Sequence, residues 1–167
     1  MIITVSGLTG SGKNTLGELL AKELGYTLVC PTFKDLAKKE GISLMEFQKK
    51  AENDPDIDKK FDEVLKEQAK ENCIVTTWLG PWMVDADFRI KIFASVETRA
   101  KRIAKRDGMK IEEAMEHVKQ RDENNRNRYK KIYGIDIDSE ENFDAKFDSG
   151  VFSPEELLAK SLEIIKK

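Results

Sequence analysis

Short apolar runs alternate with longer stretches of mixed apolar and polar positions along this chain. Five of these runs have the length and the β-branched content that are typical of buried strands. They cover residues 2–6, 27–30, 73–77, 88–94 and 145–148. Because strands that alternate with helical patterns are typical of parallel α/β sheets, we predict a single α/β domain over residues 1–167.

The segments between these runs carry helical periodicity and recognisable helix ends. Ser43 and Glu46 form the pattern of a capping box, and Ser153 before Pro154 marks the start of the last helix. Gly108 follows another periodic stretch, where glycine often ends a helix. The predicted helices cover 16–24, 33–41, 43 onward, 54–71, 95–108, 111–133 and 153 onward.

The turn after the first predicted strand is rich in glycine. Glycines let the backbone curl until successive N–H groups face an anion, and the helix that follows adds its positive dipole end. Lys13 would supply a charge for the β- and γ-phosphates. Strand, turn and helix in this order predict an ATP-binding P-loop made of Gly7, Leu8, Thr9, Gly10, Ser11, Gly12, Lys13, Asn14 and Thr15.

The residues after Lys13 bear on the magnesium ion that accompanies ATP. Ser or Thr usually follows the lysine and binds Mg²⁺, whereas here Asn14 occupies that position and Thr15 comes next. A small residue followed by threonine resembles adenylate kinases. We therefore expect the Thr15 hydroxyl to bind Mg²⁺ through a water, because Mg²⁺ loses its waters reluctantly. The amide oxygen of Asn14 is the alternative ligand.

Composition narrows the class of protein further. The chain is 40% apolar and 36% charged with a net charge of −2, so it can bury a core and has no basic surplus for nucleic acid. No apolar run approaches the roughly 20 residues of a membrane span, and no basic leader is seen. Cys30 and Cys73 lie beside strands and are predicted as small buried residues, and His117 as a solvated helix residue. We expect a cytoplasmic monomer that binds no membrane and no nucleic acid.

Arginines are concentrated in two of the predicted helices. Arg102 and Arg106 share one helix face, and Arg121 and Arg128 lie two turns apart on the next helix. Guanidinium groups neutralise the charge on a transferred phosphoryl group, so these helices, joined at Gly108, suggest a lid over about 102–128. Ion pairs with neighbouring acids are the alternative for each arginine. Arg99 and Arg126 are left open between the two interpretations.

These segments resemble nucleoside monophosphate kinases, and archaeal-type cytidylate kinases most closely. The resemblance rests on the P-loop and on residues 33–47, 54–58, 102–106, 121–128 and 128–136. It implies a P-loop kinase fold with strand order 2-3-1-4-5, acceptor-binding helices at about 31–71 and a helical lid. The implied reaction is transfer of a phosphoryl group from ATP, with Mg²⁺, to CMP or dCMP.

The resemblance also implies roles for individual residues. Lys13, Arg106, Arg121 and Arg128 would be catalytic, and Arg102 would lie on the adenine and phosphate side of ATP. Asp58 would lie near the acceptor nucleotide.

The acceptor side departs from the family pattern at several positions. Lys34 replaces an arginine that grips the acceptor phosphate, which keeps the charge but loses the bidentate fork. Trp78 replaces a second arginine, Thr76 a carboxylate and Asn125 an acid. Trp78 and Trp82 either form an aromatic platform for a ring or only pack against the core. We expect Lys34, Asp58 and Trp78 to bind the acceptor.

Three functions are consistent with this pattern. The first is phosphorylation of a nucleoside monophosphate, with CMP or dCMP as the acceptor. The second is a P-loop kinase with a different small-molecule acceptor. The third is a nucleotide-binding or ATPase module that has lost the acceptor site.

Overall fold

Five parallel strands form one sheet at the centre of the molecule. They are β1 (Ile2–Ser6), β2 (Thr27–Val29), β3 (Cys73–Thr76), β4 (Phe88–Phe93) and β5 (Ala145–Asp148). Their order is β2-β3-β1-β4-β5, which confirms the predicted topology. This computed structural model describes residues 1–166 except the side chains of Leu44 and Gln48, so Lys167 of the predicted domain lies outside the described residues.

Helices connect the strands. They are α1 (Lys13–Leu24), α2 (Phe33–Glu40), α3 (Leu44–Asn53), α4 (Pro55–Gln68), α5 (Gly80–Met83), α6 (Val96–Asp107), α7 (Ile111–Tyr133) and α8 (Pro154–Ile165). The predicted capping box at Ser43 is present, and Ser153 starts the last helix as predicted, with a capping box of its own. The predicted end of α4 at about 71 lies beyond the observed end at Gln68, because Ala69 leaves the helical conformation with a ψ of 86°. The short helix α5 is not predicted by the sequence pattern.

The sheet is covered on both faces by apolar side chains. Ile3 and Val5 of β1 pack with Leu16 and Leu20 of α1 and with Leu157 of α8. The opposite face holds a second cluster. It contains Val29, Leu65, Cys73, Val75 and Val84. Since successive side chains of a strand point to opposite faces, the continuous apolar run of β3 serves both clusters.

Two smaller cores lie outside the sheet. One joins α2, α3 and α4 through Ala37, Phe47 and Ile57. The other joins α6 and α7 through Ile103 and Val118. These helix groups follow β2 and β4, so they extend beyond the carboxyl edge of the parallel sheet, where open α/β folds bind ligands. Among the described helices, none combines the length and hydropathy of a membrane span.

Candidate active site

The glycine-rich turn after β1 has the backbone conformation of an anion-binding loop. Gly10 and Gly12 have positive φ values of 78° and 93°. A side chain at Gly7 would collide with the carbonyl oxygen of Ile92, and one at Gly10 would come within 3.0 Å of the Arg99 carbonyl oxygen. Gly12 precedes α1 and has no side chain to cap it, so the first N–H groups of α1 remain available to phosphate.

A cleft of about 630 Å³ opens beside this loop. The P-loop, the ends of β2 and β3, and helices α2, α3, α4, α6 and α7 all contribute to its walls. The predicted site residues that line it are Thr9, Gly10, Lys13, Asn14, Lys34, Asp58, Trp78, Arg106, Arg121 and Arg128. The fold therefore brings together residues that are far apart in the sequence.

Cations dominate the wall formed by the P-loop and α7. Burial lowers the pKa of Lys13 to about 8, and the charges of Arg121 and Arg106 contribute to the decrease. Burial also lowers the pKa of Arg121, where Arg106 and Arg128 add repulsion. Neighbouring cations that lower each other's pKa form a site for a highly charged anion. A triphosphate would supply that charge.

Arg106 is the most accessible of these cations. Its side chain is 62% exposed, and its guanidinium donates to both carboxylate oxygens of Asp107, at 2.8 and 3.0 Å. Arg106 lies in the last turn of α6, just before Gly108, whose φ of 65° ends the helix. An exposed pair of this kind contributes little to stability, so the Arg106 guanidinium can be redirected to a phosphate at small cost.

Arg102 does not line the cleft. Its guanidinium donates to the Gly10 carbonyl oxygen at 3.0 Å and to the Ser149 carbonyl oxygen at 2.7 Å. It therefore joins the P-loop to the loop after β5. Arg102 also donates to the Ser149 hydroxyl at 2.9 Å and to the Ser11 carbonyl oxygen at 3.3 Å.

Arg99 is buried, and its role is visible only in the structure. Its guanidinium makes a bidentate ion pair with Asp122 of α7, at 3.1 and 2.7 Å, and donates to the Thr9 carbonyl oxygen at 3.2 Å. Arg126, the other arginine that the sequence left open, pairs with Asp138 at the surface. Arg99 and Arg126 therefore both form ion pairs with acidic side chains, which is one of the two interpretations that the sequence left open.

The acceptor-side residues have unequal positions. Lys34 is exposed and lines the cleft. Asp58 is buried, and one carboxylate oxygen lies 3.3 Å from Nε of Arg128. Trp78 is half-buried, lines the cleft and meets the ring of Tyr129 edge-on at 6.4 Å.

Of the two alternatives for the tryptophans, a platform shared by both does not form. Trp82 packs edge-on against Phe143 at 5.6 Å and is not part of the cleft wall. Helix α5 is the reason, because it begins at Gly80 and contains Trp82, whereas Trp78 precedes it. Cys30 is a second correction: it is half-buried and lines the cleft, whereas Cys73 is buried as predicted. His117 is exposed as predicted, at the edge of the cleft.

Sequence reasoning did not single out four further residues of the acceptor side. Phe33, Phe61 and Tyr129 give this part of the cleft an aromatic lining. Asp62 lies one turn after Asp58 on α4, is buried, and accepts a hydrogen bond from the Tyr133 hydroxyl. The spacing of Asp58 and Asp62 was visible in the sequence, but nothing in it shows that this face is buried.

The side chains that could bind a magnesium ion belong to the P-loop and to the end of β3. Asn14 and Thr15 are both exposed, but Asn14 lines the cleft whereas Thr15 lies outside its wall. Thr76 and Thr77 also line the cleft, and their buried hydroxyls have no hydrogen-bond partner within the described part of the chain. Amide and hydroxyl oxygens suit a Mg²⁺ ion that keeps several waters and is carried by phosphate.

The sheet order, the P-loop and the cationic cleft define the protein as a P-loop kinase. The model of the cytidylate kinase-like family matches residues 2–151, and the chain belongs to this family. A cytidylate kinase of Pyrococcus abyssi is 44% identical over 163 residues, covering 95% of this chain and 90% of the relative. A cytidylate kinase of Pyrobaculum aerophilum is 42% identical over 168 residues, covering 98% and 91%.

A solved structure agrees with the fold. Shikimate kinase from Bacteroides thetaiotaomicron superposes with a TM-score of 0.67 at 16% identity, covering 100% of this chain and 99% of the other. At this identity the likeness concerns the fold alone.

Proposed function

We propose that this protein transfers the γ-phosphoryl group of ATP to a nucleoside monophosphate, with CMP or dCMP as its acceptor. The observation that carries the proposal is one continuous cleft with two different walls. Lys13, Arg106 and Arg121 line one part, and the aromatic rings of Phe33 and Phe61 line another. The names of the relatives support the same reaction.

The cationic wall suits the donor. The P-loop N–H groups and Lys13 would hold the β- and γ-phosphates of ATP, with Mg²⁺ neutralising further charge. Asn14 would face the ion, whereas the sequence pattern assigned this role to Thr15 and gave Asn14 as the alternative. Arg106, Arg121 and Arg128 would neutralise the equatorial oxygens of the transferred group.

The remaining P-loop residues would contribute chiefly through their backbone. Gly7, Leu8, Ser11 and Gly12 shape the loop around the donor phosphates. Arg102 would bind ATP indirectly, since its guanidinium already bonds the Gly10 and Ser149 carbonyl oxygens. These two hydrogen bonds hold the P-loop next to the segment after β5.

The acceptor wall suits a nucleotide better than a sugar acid. Phe33 meets Phe61 edge-on at 5.5 Å, and the guanidinium of Arg128 lies over the Phe33 ring at 5.8 Å. Flat apolar surfaces bury a nucleobase by stacking, whereas a polyol needs hydrogen-bonding groups in their place. Lys34 would hold the acceptor phosphate as a point charge, and Trp78 would cover the position that the missing arginine leaves.

ADP formation with a panel of acceptors tests this function. We expect rapid release with CMP or dCMP and Mg-ATP, and slow release with AMP, shikimate, gluconate or no acceptor. Equal release without any acceptor would show an ATPase module, and release only with a non-nucleotide would show another kinase.

A matched pair of variants on α2 tests the role of Lys34. Lys34→Ala should raise the KM for CMP about tenfold or more and leave the KM for ATP unchanged, because one charged contact with phosphate is lost. Lys38→Ala removes an exposed lysine of the same helix that is not part of the cleft wall, and should change neither constant. Equal effects of the two variants would refute the assignment.

A further inference from the structure

The serine that follows β5 is in direct contact with the P-loop. Ser149 comes immediately after Asp148, the last residue of β5, and is half-buried. Its hydroxyl donates to the Ser11 carbonyl oxygen at 2.6 Å, which is closer than its other acceptor, the Phe93 carbonyl oxygen at 3.3 Å. This hydrogen bond therefore connects the first loop of the chain to the segment after the last strand.

Arg102 supports this hydrogen bond from α6. Its Nη1 atom donates to the Ser149 hydroxyl at 2.9 Å, to the Gly10 carbonyl oxygen at 3.0 Å and to the Ser11 carbonyl oxygen at 3.3 Å. A hydroxyl that accepts from a guanidinium becomes a stronger donor, because hydrogen bonds in a chain polarise one another. Of the two bonds that the Ser11 carbonyl oxygen accepts, the one from Ser149 is the shorter.

These bonds set the direction of the peptide group between Ser11 and Gly12. Ser149 lies outside the cleft wall, whereas Lys13 lines it, so the Ser11 carbonyl oxygen is held on the side away from the cleft. In a planar trans peptide the C=O and the N–H point in opposite directions. The Gly12 N–H therefore points toward the cleft, and no backbone carbonyl of the described residues accepts from it.

We propose that Ser149 is a positioning residue for the donor triphosphate: its hydroxyl holds the Ser11 carbonyl oxygen and thereby directs the Gly12 N–H at the phosphates. This inference rests on the part of the proposed function in which the P-loop holds a triphosphate. It adds a role for Ser149, a residue outside the P-loop and outside the cleft wall, that the comparisons do not assign.

The direction of this peptide group matters for the charge of the ligand. An N–H group that faces a phosphate donates to it, whereas a carbonyl oxygen turned to the same place would repel it. Without the Ser149 hydroxyl, the Ser11 carbonyl oxygen would keep the Arg102 contact at 3.3 Å. The peptide would then turn more freely, and part of the binding energy for phosphate would be lost in fixing it.

Ser149→Ala removes the hydroxyl. We expect it to weaken the binding of Mg-ATP about three- to tenfold, the effect of one net hydrogen bond, and to leave the KM for CMP unchanged. Ser149→Thr keeps a hydroxyl and should bind Mg-ATP as the unaltered protein does. Ser139→Ala is the matched control, because Ser139 is a half-buried serine before β5 that lies outside the cleft wall.

Titration calorimetry with two ligands shows where Ser149 acts. Mg-tripolyphosphate carries the phosphates of ATP without the nucleoside, so Ser149→Ala should weaken its binding by the same factor as that of Mg-ATP. Weaker binding of Mg-ATP with unchanged binding of Mg-tripolyphosphate would mean that Ser149 acts on the nucleoside, and the inference would fail. A loss of stability in urea with both affinities unchanged would show a structural role, with the same consequence.

The remaining outcomes separate this inference from the proposed function. If the unaltered protein binds neither Mg-ATP nor Mg-tripolyphosphate, the proposed function fails. If it binds both, but Ser149→Thr loses as much affinity as Ser149→Ala, the hydroxyl is not the cause and the inference fails. If Ser149→Ala does not fold, Ser149→Cys decides through the same comparison of the two ligands, because a thiol is only a weak donor.

Discussion

Lys13 lies in the cleft as a cation that has lost part of its hydration. Its pKa of about 8, against 10.5 for an ordinary lysine, follows first from burial and then from the nearby arginines. A triphosphate in the P-loop would reverse this balance, because it places negative charge beside the ammonium group. Binding of ATP should therefore raise the pKa of Lys13 and draw in a proton.

Titration calorimetry in buffers of different ionisation enthalpy measures how many protons the protein takes up when ATP binds. At pH 8 about half of the free protein carries a neutral Lys13, so ATP binding should take up about half a proton. Affinity should hold steady below pH 7 and fall by up to about tenfold per unit well above pH 8. Lys13→Arg should abolish the uptake, since arginine stays protonated throughout. A binding heat that does not depend on the buffer would contradict the assignment.

The roles of some residues could be predicted from the sequence, and those of others could not. The P-loop could be predicted because spacing, preceding strand and following helix all constrain it locally. Asp62 could not, because its burial and its hydrogen bond from Tyr133 of α7 arise only when distant segments meet in the fold. Trp78 and Trp82 show the same limit: their spacing is visible in the sequence, but helix α5, which contains Trp82 and not Trp78, is not.

Helices α6 and α7 are joined to the P-loop by a buried ion pair. The side chains of Arg99 and Asp122 are 4% and 8% exposed, and Arg99 also holds the Thr9 carbonyl oxygen. Asp122 is adjacent to Arg121 along α7. The pair therefore fixes the distance between an arginine of the predicted lid and the loop that would bind ATP.

Removing one partner of this pair should be costly. Asp122→Asn leaves the Arg99 charge buried without its partner, and should lower the free energy of unfolding by about 3–5 kcal/mol and also reduce kcat. Arg126→Ala is the control: its pair with Asp138 is 40% and 51% exposed and should contribute less than about 1 kcal/mol. Denaturant unfolding measures the change in unfolding free energy of each variant, and the kinetic assay measures its kcat. Equal losses in the two variants would contradict the proposed link.

The elements themselves were largely predictable. All five strands and seven of the helices lie where periodicity and capping residues place them, because those signals are local. The errors occur at boundaries and at α5, whose four residues are too few to show a helical period. Strand order needed the resemblance, since the apolar runs do not show which strands are neighbours.

Across the whole molecule, the cleft depends on segments that meet only after folding. The two small cores, one joining α2, α3 and α4 and the other joining α6 and α7, bring the proposed acceptor residues and the arginines to the same cleft. A ligand that occupies the acceptor part should therefore be sensed by Trp78, which lines the cleft, and not by Trp82, which packs on Phe143.

Tryptophan fluorescence can test whether Trp78 responds to the acceptor and Trp82 does not. In Trp82→Phe, where Trp78 is the remaining tryptophan, CMP should change the emission in a saturable way. In Trp78→Phe, where Trp82 remains, the same addition should leave it unchanged. A response only in Trp78→Phe would place the acceptor elsewhere.

The transfer itself can be followed with ATP labelled at its γ-phosphate and CMP in the presence of Mg²⁺. Separation of the products should find the label in the β-phosphate of CDP, with ADP and CDP formed in equal amounts. Label recovered as inorganic phosphate at the same rate with and without CMP would contradict the account.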